Sequence, residues 1–204
     1  MELYDSEEQQ VEAIKDWWKE NGKAVIFGAV IGLGGLFGWR YYQDSVVEAR
    51  EAASENYTSV ISTLAAKGVD AQSDIQAFID ANKDAEYSVL AAMQLAKVQV
   101  QAGELAAALE QLEWAKSATK DVALEPLLTY RVVRIKAEQG EFDAALKDLE
   151  SLKDESWKGR AAELRGDILL RKGDTAAAYT AYSEAQQAAD ASQTLQIKLD
   201  DLAK

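Results

Sequence analysis

Sixteen consecutive residues, Ala24 to Trp39 (AVIFGAVIGLGGLFGW), carry no charge and no hydrogen-bonding side chain apart from the Trp39 indole. Wound as a helix at about 1.5 Å per residue, the run is about 24 Å long, a little short of the ~30 Å hydrocarbon thickness of a bilayer. Its flanks make up the difference. Lys23 and Arg40 are placed to snorkel toward the headgroups, and Trp17, Trp18, Trp39, Tyr41 and Tyr42 supply aromatic residues at both ends. Length alone would also suit the buried core helix of a soluble protein. The basic and aromatic bracket favours a membrane anchor over residues 24–42.

A cleaved signal peptide begins with a basic region. Here Glu2, Asp5, Glu7, Glu8, Glu12, Asp16 and Glu20 stand against Lys15, Lys19 and Lys23, and no small-residue cleavage site closes the apolar run. The anchor is therefore expected to stay. Three lysines before the span against Arg40 and Arg50 after it put the N-terminus inside, so residues 1–23 are expected in the cytoplasm and 43–204 in the periplasm of a Gram-negative cell. Val11, Ile14 and Trp18 recur at helical spacing, which predicts a short amphipathic helix at the cytoplasmic interface, stopped by Asn21-Gly22. Within the span, Gly28 with Gly32 and Gly34 with Gly38 form two small-xxx-small pairs, candidates for close packing against a partner helix.

The chain contains no histidine and no cysteine, so common zinc and haem sites, Fe–S clusters, thiol chemistry and Ser-His-Asp catalysis each lack a required part. Its 22 Lys and Arg against 35 Asp and Glu give a net charge of −13, which repels phosphate backbones and argues against a nucleic-acid partner. One proline and a predominance of Ala, Glu, Gln, Lys and Leu after residue 43 favour helix throughout. The fold class expected is all-α.

Three segments of the distal part repeat: Gly103-Glu-Leu-Ala-Ala-Ala-Leu109, Gly140-Glu-Phe-Asp-Ala-Ala-Leu146 and Gly173-Asp-Thr-Ala-Ala-Ala-Tyr179. Each glycine lies between two helix-like runs, where a chain leaves a helix in the left-handed conformation that glycine adopts most cheaply. Ala108, Ala145 and Ala178 allow close helix packing, and Leu112, Leu149 and Tyr182 add the next inward turn. The unit is a helical hairpin, which cannot bury its apolar stripe alone and so must stack on neighbours. The pattern resembles tetratricopeptide repeats; the third copy also places Gly166 and Leu169 as that pattern requires, the second has Val133 where a small residue belongs, and Pro126 opens a first helix. Upstream, a helix over 43–66 with Val47, Ala53, Tyr57, Val60, Ile61 and Leu64 inward should break at Lys67-Gly68. Another, over 71–82, uses Ile75, Phe78 and Ile79. Ala191 to Leu202 reads as a capping helix with Leu195, Leu199 and Leu202 on one face.

A general acid drawn from a carboxylate pair needs burial, whereas pairs such as Asp148 with Glu150, or Asp154 with Glu155, lie in polar sequence surroundings expected to be solvated, and Asp70 to Asp74 lacks the glycine and distal glutamate of a calcium loop. No catalytic, cofactor or metal residues are expected, and the work left is binding. Aligning the repeats on their glycines sets Met93, Lys97, Tyr130, Arg134, Arg160, Asp167 and Arg171 along the groove formed by the first helix of each hairpin. That groove is more basic than the domain, whose residues 43–204 hold 18 Lys and Arg against 28 acids. It is suited to an acidic segment or a chain carboxylate; ordinary solvated helix positions would read the same way.

The stretch Val11-Glu-Ala-Ile-Lys-Asp-Trp-Trp-Lys-Glu-Asn-Gly-Lys23, the glycine-rich span ending Gly38-Trp-Arg-Tyr-Tyr42, and the tetratricopeptide-like hairpins together resemble the YfgM family of ancillary SecYEG translocon subunits. The resemblance implies a single-pass inner-membrane anchor with a periplasmic repeat domain. It also implies partnership with the SecYEG translocon and a PpiD-type periplasmic chaperone, and a part in handling newly exported client proteins. A scaffold of another envelope assembly is the alternative that composition leaves open.

Overall fold

A computed structural model describes residues 7–202, and the regular structure among them is entirely helical. The chain divides into two compact units at Ala53/Ser54.

The first unit is helix: α1 is Glu7–Lys67, without the break expected at Asn21-Gly22. Asn21 bonds back along the helix, its Nδ2 donating to the Trp17 carbonyl at 3.1 Å, instead of competing with the backbone to end it. Gly22 is buried under the Trp18 indole, where an added Cβ would stand 3.2 Å from the ring. The amphipathic stretch containing Val11, Ile14 and Trp18 is therefore the opening of α1. Along the apolar run, Val25, Ile26, Phe27, Val30, Ile31, Leu33, Leu36, Phe37 and Trp39 are exposed at 40–71%. A core helix of a soluble protein would bury such side chains. α1 is the one helix among the described residues long and apolar enough to cross a membrane. Val47, expected inward, is 47% exposed and lies in this unit.

In the second unit α1 ends at Lys67, and Gly68 takes φ +60°, the expected break. Then come α2 (Gln72–Ala81), α3 (Glu86–Gln101), α4 (Leu105–Ala118), α5 (Glu125–Glu138), α6 (Phe142–Leu149), α7 (Lys158–Lys172), α8 (Thr175–Gln186) and α9 (Leu195–Leu202). From α2 onward each helix packs on the next, and α5 also touches α7. Three hairpins result, α3/α4, α5/α6 and α7/α8, with α9 closing the far end. Tyr57, Val60, Ile61 and Leu64 join the core of α2 and α3.

The turn inside each hairpin is the same device. Gly103, Gly140 and Gly173 have φ of +81°, +83° and +92°. After each, the next residue's N–H reaches back to close the helix: Glu104 to the Gln99 carbonyl at 2.8 Å, Glu141 to Lys136 at 2.9 Å, Asp174 to Leu169 at 2.9 Å. The glycines themselves bond Val100, Ala137 and Leu170, completing three Schellman motifs. Asp174 also caps α8, accepting from the Ala177 N–H at 3.0 Å.

Ala108, Ala145 and Ala178 are wholly buried. One turn later, the hairpins solve a shared packing problem with different pairs: Ala96 with Leu112, Val133 with Leu149, Gly166 with Tyr182. All six are buried, and the smallest first-helix residue accompanies the largest second-helix one. An added Cβ on Gly166 would fall 2.4 Å from Tyr182 Cε1, so the ring occupies the space another side chain would need. The start of α7 is satisfied from a distance: Asp190 accepts from the Gly159 N–H at 2.7 Å and the Arg160 N–H at 3.2 Å.

Candidate functional site

The first and second hairpins leave a groove of about 440 Å³ between them. Met93, Ala96, Lys97, Val100 and Gln101 of α3 form one wall, Leu105 and Leu112 of α4 the base, and Arg131, Arg134, Ile135 and Glu138 of α5 the other wall. Met93, Ala96, Leu112 and Ile135 are buried and give it an apolar floor, and Lys97 and Arg134 stand exposed at its rim. Arg131 is half-buried, and its pKa lies below the usual arginine value, first because burial disfavours the charge and then because Arg134 repels it. Glu138 is drawn off by Arg171, whose Nη1 lies 2.8 Å from its carboxylate while the guanidinium sits over the Phe142 ring.

Of the seven residues expected along one groove, Met93, Lys97 and Arg134 line this opening and Arg171 reaches its edge through Glu138. The other three belong to a different neighbourhood. The Tyr130 ring lies tilted against that of Trp157, their centroids 5.5 Å apart, and Arg160 lies over the same indole at 5.0 Å. Burial, first, raises the Tyr130 pKa, with Glu163 and Asp167 adding to it against Arg134 and Lys198. Asp167 is committed to the joint with α9: its Oδ1 accepts from Tyr182 Oη at 2.7 Å and from Lys198 Nζ at 2.6 Å, and Lys198 also pairs with Glu163 at 2.9 Å. Burial by itself would lower the Lys198 pKa, but the bonds to Asp167 and Glu163 outweigh it and hold the ammonium above its ordinary value. Sequence spacing missed Arg131 and Glu138. Arg131 lies three residues before Arg134, a helical neighbour that the i, i+3 rule could have found; Glu138 needed its ion-pair partner to be seen.

Alignment with characterised proteins runs end to end. An ancillary SecYEG translocon subunit of Haemophilus influenzae is 35% identical over 198 residues, covering 96% of this chain and 97% of its own length. Its counterpart in Escherichia coli K12 is 35% identical over 206 residues, covering 99% of both. The chain belongs to the ancillary SecYEG translocon subunit family. The tetratricopeptide repeat-like domain family matches residues 15–204, so in this chain the match takes in the apolar run as well as the hairpins. Among solved structures, a tetratricopeptide repeat protein from Parabacteroides merdae superposes with a TM-score of 0.57 at 18% identity, covering 73% of this chain and 60% of that one. That likeness concerns the fold.

The other candidate surface of this translocon-subunit family member is the apolar run of α1, the candidate span. An added Cβ at Gly28, Gly32, Gly34 or Gly38 would meet nothing within 4 Å, so these faces of α1 are open. The Trp39 and Tyr42 rings lie 6.3 Å apart at its far end, an aromatic cluster of the kind that sits at headgroup level.

Proposed function

We propose that this protein is a non-enzymatic, membrane-anchored accessory of the SecYEG protein-export channel. Identity of 33–35% to three proteins named for that role, over 96–99% of this chain, carries the reading, because the aligned length includes the span as well as the repeats. In this reading residues 24–42 anchor the chain with its N-terminus in the cytoplasm. Residues 43–204 then lie in the periplasm, where they work with a PpiD-type chaperone on newly exported proteins. The open glycine faces take a partner helix and the groove takes a partner chain. The exposed apolar side chains of α1 support the anchor. The absence of histidine and cysteine from the sequence supports a binding role over a catalytic one.

Purification from native membranes in a mild detergent through a C-terminal tag tests this, with mass spectrometry of what accompanies the chain. The translocon and a periplasmic chaperone should co-purify, and joint replacement Gly28→Leu and Gly32→Leu should reduce their recovery while leaving helicity unchanged. Recovery of a different envelope assembly in their place would assign the protein to that assembly as a scaffold. For orientation, protease added outside spheroplasts should digest the chain beyond about residue 45, within reach of a surface-exposed domain. A protected domain would reverse the topology.

A further inference from the structure

We propose that the groove between the first two hairpins is a docking site for an acidic polypeptide segment that also carries apolar side chains. The proposal rests on the reading of the groove as a partner-binding surface and adds the chemistry of the partner.

The convergence of cations on one opening carries it. In residues 43–204, 18 basic side chains share the surface with 28 acids; some pair with carboxylates and others do not, and what sets this groove apart is that three without an ion pair meet at one place. Lys136 is held by Glu113 and Asp148, Lys198 by Glu163 and Asp167, Arg165 by Glu184, Arg171 by Glu138 and Lys172 by Asp143. Lys97, Arg131 and Arg134 form no ion pair among the described residues, yet all three face one opening from adjacent hairpins. Arg131 and Arg134 repel each other there, and the one carboxylate at the opening, Glu138, is already neutralised by Arg171. An incoming carboxylate would relieve this repulsion and meet no competing acid.

The floor selects the rest of the partner. Met93 and Ile135 are buried at the base and Val100 is 42% exposed above them, an apolar surface that a free phosphate or a nucleic-acid backbone would leave uncovered. The volume, about 440 Å³, is that of a small ligand pocket and suits a few side chains. A segment alternating Asp or Glu with Leu or Met satisfies both the rim and the floor.

The test uses the full chain in lipid nanodiscs and a fluorescein-labelled peptide, Asp-Leu-Glu-Asp-Leu-Met-Glu-Leu-Asp-Glu, followed by anisotropy. A second peptide has every acid replaced by its amide. The acidic peptide should bind at least about tenfold more tightly than the amide one, and raising salt from 50 to 300 mM should weaken it. Lys97→Gln, Arg131→Gln and Arg134→Gln combined should remove about tenfold or more of the affinity, and Val100→Asp should weaken binding through the floor. Arg160→Gln, outside the groove, should change nothing. Circular dichroism melting of each variant separates lost binding from lost fold. Equal binding of the two peptides, unchanged affinity in the triple variant, or no binding at millimolar peptide would overturn the proposal. Translocon co-purification is read separately, so its failure and the failure of this groove are distinguishable.

Discussion

Tyr182→Ala should lower the melting temperature of the repeat domain by roughly 10 °C, from the loss of about 3–5 kcal/mol that truncating a large buried aromatic brings in a domain of this size. Tyr182 is 1% exposed, fills the hollow over Gly166, packs with Ala178, Ala185 and Leu195, and donates its hydroxyl to Asp167. Its removal empties the joint between α7, α8 and α9 together. The reciprocal change, Gly166→Ala, places a methyl carbon where the ring already lies and should destabilise by about 1–2 kcal/mol even after the gain in helix propensity. The first hairpin indicates the repair. It holds Ala96 and Leu112 at the corresponding positions, both buried, so Gly166→Ala joined with Tyr182→Leu should recover at least about 1 kcal/mol relative to the sum of the two single changes. Thermal and urea melts of the four proteins measure that coupling. Additive losses would mean that the two positions do not share one space.

Ile31→Arg should shift the protein from the membrane pellet to the alkaline-carbonate supernatant. Arginine in place of isoleucine at the centre of a span costs about 3 kcal/mol on insertion, a factor of about a hundred. The candidate span has little in reserve, with sixteen uncharged residues of which five are glycine. Ile31→Leu should leave fractionation unchanged. If the arginine variant remains in the pellet as firmly as the parent, the run is held by something other than lipid burial, and the anchor reading fails.

The repeat glycines were legible because a left-handed helix end is a local property: a glycine between two helix-forming runs needs no distant residue to take φ near +80°. Gly22 looked similar and behaved differently. An apolar helical run begins directly after it, so the chain gains more by continuing than by turning, and the Trp18 ring covers the place where a side chain would be. The groove was half legible. Repeat alignment found Met93, Lys97 and Arg134, since equivalent positions in stacked hairpins face the same way, but Asp167 satisfied the same alignment and is consumed by Tyr182 and Lys198.

Periodicity, apolar length and the backbone freedom of single residues are properties of the chain itself, and they were enough for the helical class, the candidate span and the three hairpin turns. Which charges are satisfied and which are left over is settled by the stacking of the hairpins. Lys198 reaches Asp167 across 31 residues, Asp190 caps α7 from an equal distance, and Arg171 takes Glu138 out of the groove from 33 residues away. Such pairings are invisible to local pattern, because Coulomb energy falls with distance in space, whatever the separation along the chain.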